Sequence, residues 1–243
     1  RHVFDGYMEK KTGNGKNPNW FGKINFVGGV TEAIYGTAEE SASMGRRNIH
    51  YVLPDQDRMI TARKARENYK VDIAIIRAEI QQLVAAYAVQ EKEALPDTLP
   101  QPTDEFSNEL LVLSDFSTHA RTPTERNYRG ELMLSTSIEM PMRMSAQLHK
   151  IAQTLLWMYR DDSTVHSTGE LPEHLKNLLR KIAFDSIPKQ KRITLSILCE
   201  YDSVTTKGLA VHLKYPTERA RSWLEDLNVL GLIERATRAG DRG

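Results

Sequence analysis

The sequence has little cysteine, no long apolar run and almost no net charge, and the first two shortages each exclude a class of protein. Cys199 is the only cysteine among the 243 residues, so neither an internal disulfide nor a multi-thiolate metal site can form, and we expect a reducing, cytoplasmic location. No segment approaches the ~20 apolar residues that a membrane-spanning helix requires; the nearest, 73–89, contains Arg77 and Glu79. The 33 basic and 32 acidic residues leave a net charge of +1, which alone neither favours nor excludes a polyanionic partner.

Motifs for catalysis and metal binding are also missing. The seven histidines are scattered, without a pair three or four residues apart that could hold a metal from one helix face. The segment 13–16 falls short of a phosphate-binding loop, which requires Gly where Lys10 stands and Ser or Thr where Asn17 stands. We therefore predict no metal site, no catalytic residue and no cofactor in this chain alone. The segment 12–19 is interpreted as the tip of a hairpin or loop.

The first quarter of the chain has the pattern of a small α/β unit. Apolar residues concentrate in 23–30 and end at a glycine pair, which is typical of a strand buried on both faces. An Ala- and Glu-rich segment, 32–43, predicts a helix, and 48–53 predicts a second strand that stops at Pro54. The order strand, helix, strand predicts a parallel crossover unit.

The middle of the chain changes to helical periodicity. From Met59 onward apolar residues recur every three or four positions, and the proline-containing segment 95–103 interrupts them as a loop. Further helices are predicted from Asp104, as the N-cap, to Arg121, after Pro141 through Met158, and over 170–184. These segments predict an all-helical bundle. The apolar pattern also places Cys199 among buried positions of a later helix.

Three short amphipathic helices are predicted near the C-terminus. The first runs from Lys189 to Glu200, and the second runs from Thr205 to His212. The third begins at Pro216 and carries its apolar residues on one face, at spacings of three and four. The segment 232–235 predicts a strand that leads into a wing around Gly240.

This order of elements resembles the winged helix-turn-helix modules of the MarR and ArsR types. The resemblance implies that the outer face of the third helix enters the major groove of DNA and that the wing meets phosphate. The DNA-binding residues that it implies are Thr217, Arg219, Arg221, Ser222, Arg235 and Arg238. Docking of a protein partner is the alternative, because Glu218, Glu225 and Asp226 dilute the positive face.

Short motifs farther upstream carry a second resemblance. They are Trp20-x-Gly22-Lys23-Ile24, Gly28-Gly29-Val30-Thr31, Met44-Gly45-Arg46-Arg47 and Glu139-x-Pro141-x-Arg143. Together they resemble the second half of the RecA/AAA-like ATPase core and the helical lid of helicase-like proteins carried by prophages and other mobile elements. The resemblance implies that the nucleotide-sensing residues are Thr31, Arg46, Arg47 and Arg143. It also implies that the phosphate loop lies upstream, so that ATP and Mg act only in a longer parent protein and this chain alone hydrolyses no ATP.

These observations predict a mixed fold in three parts. Residues 1–57 form a partial α/β segment of an ATPase core, 58–185 form a helical lid or bundle, and 186–243 form a winged helix-turn-helix. The first hypothesis of function is a DNA-associated fragment of a mobile-element ATPase with a role in DNA replication. The second is a transcriptional regulator whose helical region dimerises or senses a ligand. The predicted crossover unit discriminates between them, because a regulator does not need one; both leave open whether the chain forms a homo-oligomer.

Overall fold

The computed structural model describes residues 7–9, 19–22, 28–29, 48–54, 57–70, 72–124, 126–132, 138–201 and 203–236. The chain divides into two units, 1–41 and 42–243. In the first unit, strand β1 (Tyr7–Glu9) pairs antiparallel with strand β2 (Asn19–Phe21). The predicted hairpin tip lies between these two strands, and all of it except Asn19 falls outside the described residues.

The regular secondary structure that is described in the second unit is helical, apart from one isolated β-bridge between Arg126 and Leu132. A short 3₁₀ turn, Asn68–Lys70, separates the first two of its α-helices. These helices are α1 (Arg58–Glu67), α2 (Ile73–Glu93), α3 (Asp104–Arg121), α4 (Met142–Met158), α5 (Ser163–Thr168), α6 (Glu173–Asp185), α7 (Lys189–Glu200), α8 (Thr206–Leu213) and α9 (Thr217–Val229).

The prediction of a partial α/β core is wrong. The strands that the structure describes are one short antiparallel pair, and neither belongs to a parallel crossover unit. The predicted strand 48–53 has no regular secondary structure, and neither do Gly28 and Gly29 of the predicted strand 23–30. The rest of that strand and the predicted helix 32–43 lie outside the described residues.

Side chains of α6 bind both backbone polar groups of Val52, in the middle of 48–54, in place of a partner strand. The Val52 N–H donates to Asp185 Oδ2 at 2.8 Å, and Lys181 Nζ donates to the Val52 carbonyl oxygen at 2.8 Å. The Lys181 ammonium also lies 4.5 Å from the ring centroid of Tyr51, and Ile49 packs on the helical core. Because each backbone polar group of Val52 already has a partner, the apolar run lies along the helices as an extended strap.

The first core lies between α3, α4, α5 and α6. Thr103 begins α3, with its hydroxyl accepting a hydrogen bond from the Phe106 N–H at 3.4 Å, so the N-cap is Thr103 and not Asp104. Helix α4 is amphipathic, as its spacing predicts, and the predicted helix 170–184 begins only at Glu173, behind the separate short helix α5. The buried core residues are Phe106, Leu110, Met144, Leu148, Ala152, Leu156, Val165, Leu171, Leu175, Leu179, Ile182 and Ala183.

The last turns of α3 connect this core to the C-terminal helices. Ala120 packs with Ile187, Leu195 and Leu227 in a second core that joins α3, α7 and α9. Arg121 of α3 is 2% exposed and binds Glu139 through two hydrogen bonds, of 2.9 and 2.6 Å. This bidentate pairing compensates a charge that would otherwise be buried alone. The predicted domain boundaries at 57 and 185 stay predictions.

A predicted strand after α9 is also absent. Residues 232–235 adopt no strand, and Leu232 and Ile233 instead pack against the second core. The predicted wing around Gly240 lies outside the described residues. Cys199, which the apolar pattern placed among buried positions, is exposed on α7.

Replacing Asp185 with Ala is expected to lower the free energy of unfolding by about 2–3 kcal/mol, because Lys181, Arg192 and the Val52 N–H then lose a buried partner. Urea denaturation measures this loss, and hydrogen exchange at the Val52 amide reports whether the strap is released. Asp115→Ala is the matched control, because the Asp115 side chain is 56% exposed and its loss should cost no more than about 0.5 kcal/mol. Equal stability of the two variants would contradict the role of Asp185.

Candidate nucleic-acid interface

Helices α8 and α9 are joined by a three-residue turn whose ends are fixed locally. The Thr205 hydroxyl caps α8 by accepting a hydrogen bond from the Gly208 N–H at 3.1 Å. Lys214 ends α8 in the left-handed region, at φ 56° and ψ 40°, and its backbone turns the chain toward α9. Pro216 directly precedes the first residue of α9, where its fixed φ suits a helix start.

A small apolar core holds α7, α8 and α9 together. Leu209 and Ala210 of α8 meet Ala220 of α9. Side chains that are partly buried against them come from the three helices and the loops between them: Ile197, Val204, Leu213 and Leu224. The ring of Tyr215, in the turn, packs edge-on against Trp223 at 5.0 Å. The outer sides of α8 and of the first turns of α9 remain accessible to a partner.

Every acidic side chain of α9 has a basic partner. Arg126, which reaches α9 from the loop after α3, donates to Asp226 Oδ1 at 2.6 Å, to Glu225 Oε2 at 3.4 Å and to the Ser222 carbonyl oxygen at 3.0 Å. Glu218 pairs with Arg221 one turn along α9, at 3.5 Å. The acids that dilute the positive face in the sequence are thus balanced in the structure.

Three cations around the α8–α9 turn are not balanced in this way. Lys207 lies on the outer side of α8, Lys214 lies in the turn, and Arg219 lies in the first turn of α9. All three are exposed, and none forms an ion pair within the described residues. An exposed group of unpaired cations beside a short turn produces a local positive potential, although the whole chain is nearly neutral.

The structure distributes the predicted DNA-binding residues unevenly. Arg219 is exposed and Thr217 is half-buried at the start of α9. Arg221 is exposed beside Glu218, and the backbone of Ser222 is engaged by Arg126. Arg235 is exposed beyond α9, and Arg238 lies outside the described residues.

The predicted nucleotide-sensing residues do not form a described site. Thr31, Arg46 and Arg47 lie outside the described residues, and Arg143 is exposed in the first turn of α4. Whether Thr31 and Arg143 share a cleft stays a prediction. Two arginines that accompany these motifs in the sequence, Arg121 and Arg126, are engaged in ion pairs with Glu139 and with α9.

Two basic features escaped the sequence analysis. Lys207 and Lys214 belong to no basic run in the sequence; Lys207 lies in the first turn of α8, and Lys214 lies in the turn that leads into α9. Helix α1 carries exposed cations that form no ion pair in the described part of the chain: Arg58, Arg63, Lys64 and Arg66. Counting charges along the sequence could have identified this second group, because four of ten consecutive residues are basic and one is acidic.

Neither a metal site nor a catalytic cluster accompanies these cations. Within the described residues, no group of three His, Cys, Asp or Glu side chains could hold a metal ion. The pKa of Arg180 is raised above its ordinary value by the hydrogen bonds that it donates to Glu109 and Glu173. This arrangement joins α3 to α6 and is an ordinary structural ion pair.

Arg126→Gln is expected to lower the free energy of unfolding by about 1–3 kcal/mol, because the buried Asp226 carboxylate loses its charged partner. Arg129→Gln changes the same residue type in the same loop, where the side chain is exposed, and should change stability by less than about 0.5 kcal/mol. Thermal unfolding of both variants measures the difference. If both variants melt with the wild type, Arg126 does not hold the loop on α9.

Comparisons with known proteins identify no relative of this chain, so its function is argued from the surfaces described above. Neither a protein-family model, nor a curated protein, nor a solved structure matches this chain.

Proposed function

We propose that the chain binds double-stranded DNA through α7, α8 and α9, with α9 as the helix that approaches the major groove. The observation that carries this proposal is the charge balance of the α8–α9 turn. Pairing with Arg126 and Arg221 neutralises the acids of α9, whereas Lys207, Lys214 and Arg219 keep their charge free for phosphate. The proposal does not depend on a wing, because the contacts it uses lie on α8, the turn and α9.

Arg219 is the residue best placed for a base contact. It projects from the first turn of α9, next to the turn that carries Lys214. In helix-turn-helix proteins the N-terminal residues of the second helix contact base edges, and the preceding helix contacts the backbone. Lys207 and Lys214 therefore suit phosphate, and the planar guanidinium of Arg219 suits a guanine edge.

Arg221 has a secondary role in this proposal. Its ion pair with Glu218 is exposed on both sides, with side chains 57% and 78% exposed, so the pair contributes little to stability. A phosphate can therefore compete for Arg221 at small cost. Ser222 contributes less, because its backbone is already held by Arg126.

The structure favours a regulator-type role over an ATPase fragment. An ATPase core would be supported by the predicted crossover unit, of which 48–53 was the second strand. In the structure the segment 48–54 is a strap on α6 and not a strand. The helix-turn-helix arrangement needs no such unit. We expect this activity in a reducing, cytoplasmic compartment, because the single cysteine leaves the chain without an internal disulfide.

The test is fluorescence anisotropy of the full chain on a random DNA duplex at about 50 and 200 mM salt. Lys214→Asn removes the positive charge of the turn and keeps a residue that tolerates the left-handed conformation. Arg219→Ala removes the positive charge in the first turn of α9, and the double variant combines the two changes. We expect the double variant to reduce the salt dependence, the slope of log K against log salt, by about one unit, because Lys214 is the phosphate contact that it removes. If Arg219 donates to guanine, its loss alone should cost about 1–3 kcal/mol on the preferred sequence.

Lys150→Ala is the control, because Lys150 is an exposed lysine on α4, away from the turn, and its loss should leave the affinity unchanged. Binding that is indifferent to salt, or equal affinity of the double variant and the wild type, would contradict the proposal. Either result would favour protein docking by the same helices.

A further inference from the structure

Helix α2 leaves nearly all of its surface in solvent, although much of it is apolar. Its 21 residues include none that is buried, and at 1.5 Å per residue it is about 31 Å long. Its C-terminal end is fixed where Arg160 donates to both carboxylate oxygens of Glu91, at 2.9 and 3.3 Å, with the guanidinium 4.1 Å above the ring of Trp157. The exposed apolar residues are Ile73 (60%), Ile75 (57%), Ile76 (44%), Ile80 (55%), Leu83 (71%), Val84 (61%), Tyr87 (45%) and Val89 (58%).

Five of these residues form a seam with a seven-residue repeat. The spacings from one to the next are three, four, three and four, in the order Ile73, Ile76, Ile80, Leu83 and Tyr87. This is the pattern of the a and d positions of a coiled coil, sustained here over two heptads and the first position of a third. The seam therefore has the geometry to pack against another helix.

An isolated helix with this composition needs a cover. In proteins most of the stability of a helix comes from packing of its apolar face, and an apolar stripe stabilises a helix only when it is buried. Among the described helices, none is long and apolar enough to cross a membrane.

We infer that the cover is a second copy of this chain, with two α2 helices packed side by side and parallel. A heptad seam is self-complementary in such a pair, because each a and d side chain meets the same residue of the other copy. In this register Ile73, Ile80 and Tyr87 occupy a positions, and Ile76 and Leu83 occupy d positions. The central layers, Ile80 at a and Leu83 at d, have the β-branched and leucine side chains that suit two strands.

Charges beside the seam fit the parallel arrangement. Asp72 precedes the first a position and Arg77 lies five residues later, and in a parallel pair these two positions face each other across the interface. One oxygen of Asp72 caps the helix by accepting from the Ala74 N–H at 3.0 Å, which leaves the other oxygen for Arg77 of the second copy. Arg77 is exposed and forms no ion pair within the described residues. The antiparallel arrangement of the same seam would instead bring Asp72 close to Glu93 of the other copy, which is a repulsive pair.

The first test measures the mass of the full chain by sedimentation equilibrium, where we expect twice the monomer mass. Ile80→Asp places a charge in the seam and should weaken dimerisation by at least ~100-fold. Ile75→Asp is the matched control, because it makes the same change on the same helix outside the seam, and it should alter the dissociation constant by less than ~3-fold. Far-ultraviolet circular dichroism and the melting temperature show whether α3–α9 stay folded in both variants.

A monomeric wild-type chain at its highest soluble concentration would overturn the inference. A dimer that Ile80→Asp leaves intact would also overturn it, because the interface would then lie elsewhere. Equal weakening by Ile80→Asp and Ile75→Asp would show that helix formation matters and the seam does not, with the same consequence.

The second test fixes the orientation by disulfide formation. Cys199 is exposed, so Cys199→Ser provides a background without thiols. In that background Ile80→Cys should cross-link to itself rapidly in the parallel pair, because the two residues face each other within disulfide reach. Ile75→Cys, outside the seam, should not. Cross-linking of Ile80→Cys only when it is mixed with Leu83→Cys would overturn the parallel arrangement.

Discussion

The carboxylate of Asp185 is the interaction on which the arrangement of the second unit depends most. It is 5% exposed and lies at the end of α6, where it binds Lys181 of its own helix, Arg192 of α7 at 2.7 Å and the Val52 N–H of the strap. A charge so deeply buried is tolerated only when nearly all of its hydrogen-bonding capacity is used. Satisfying it therefore fixes α6 and the adjacent α7 relative to the strap, whose Val52 lies 133 residues from Asp185 in the sequence.

The same requirement shapes the end of α3. Arg121 is buried and paired with Glu139, while Lys191 of α7 donates to the Thr122 carbonyl oxygen at 2.6 Å. The side chains of Ser114, Thr118 and Thr122 return hydrogen bonds to carbonyl oxygens one turn earlier. These three hydroxyl groups can thus face the interior of α3 with their donors paired, whereas the buried Ser117 hydroxyl on the same helix has no partner within the described residues. Through these contacts the first core and the C-terminal helices are connected.

Ion pairing also decides which surface charges remain available. Net charge predicted nothing about a partner, because the numbers of bases and acids nearly cancel. In the structure Arg126 and Arg221 neutralise the acids of α9, and cations without an ion pair among the described residues remain at the α8–α9 turn and on α1, among other places. The apolar side chains of α2 have no comparable partner among the described residues, so the second unit carries both a positively charged surface and an apolar one.

The sequence by itself determined the helices, because their signals are local. The repeat of apolar residues predicted α4, α7, α8 and α9, with most bounds within a few residues. The apolar run at 48–53 was predicted as a strand, since a short apolar run looks the same whether it will pair with strands or lie on helices. Only the tertiary structure decided this, because Lys181 and Asp185, more than 125 residues away, supply the hydrogen bonds that a neighbouring strand would otherwise provide. The sequence likewise did not determine which charges around the α8–α9 turn stay unpaired. Asp226 of α9 binds Arg126, about 100 residues earlier in the chain, and this pairing exists only in the folded structure.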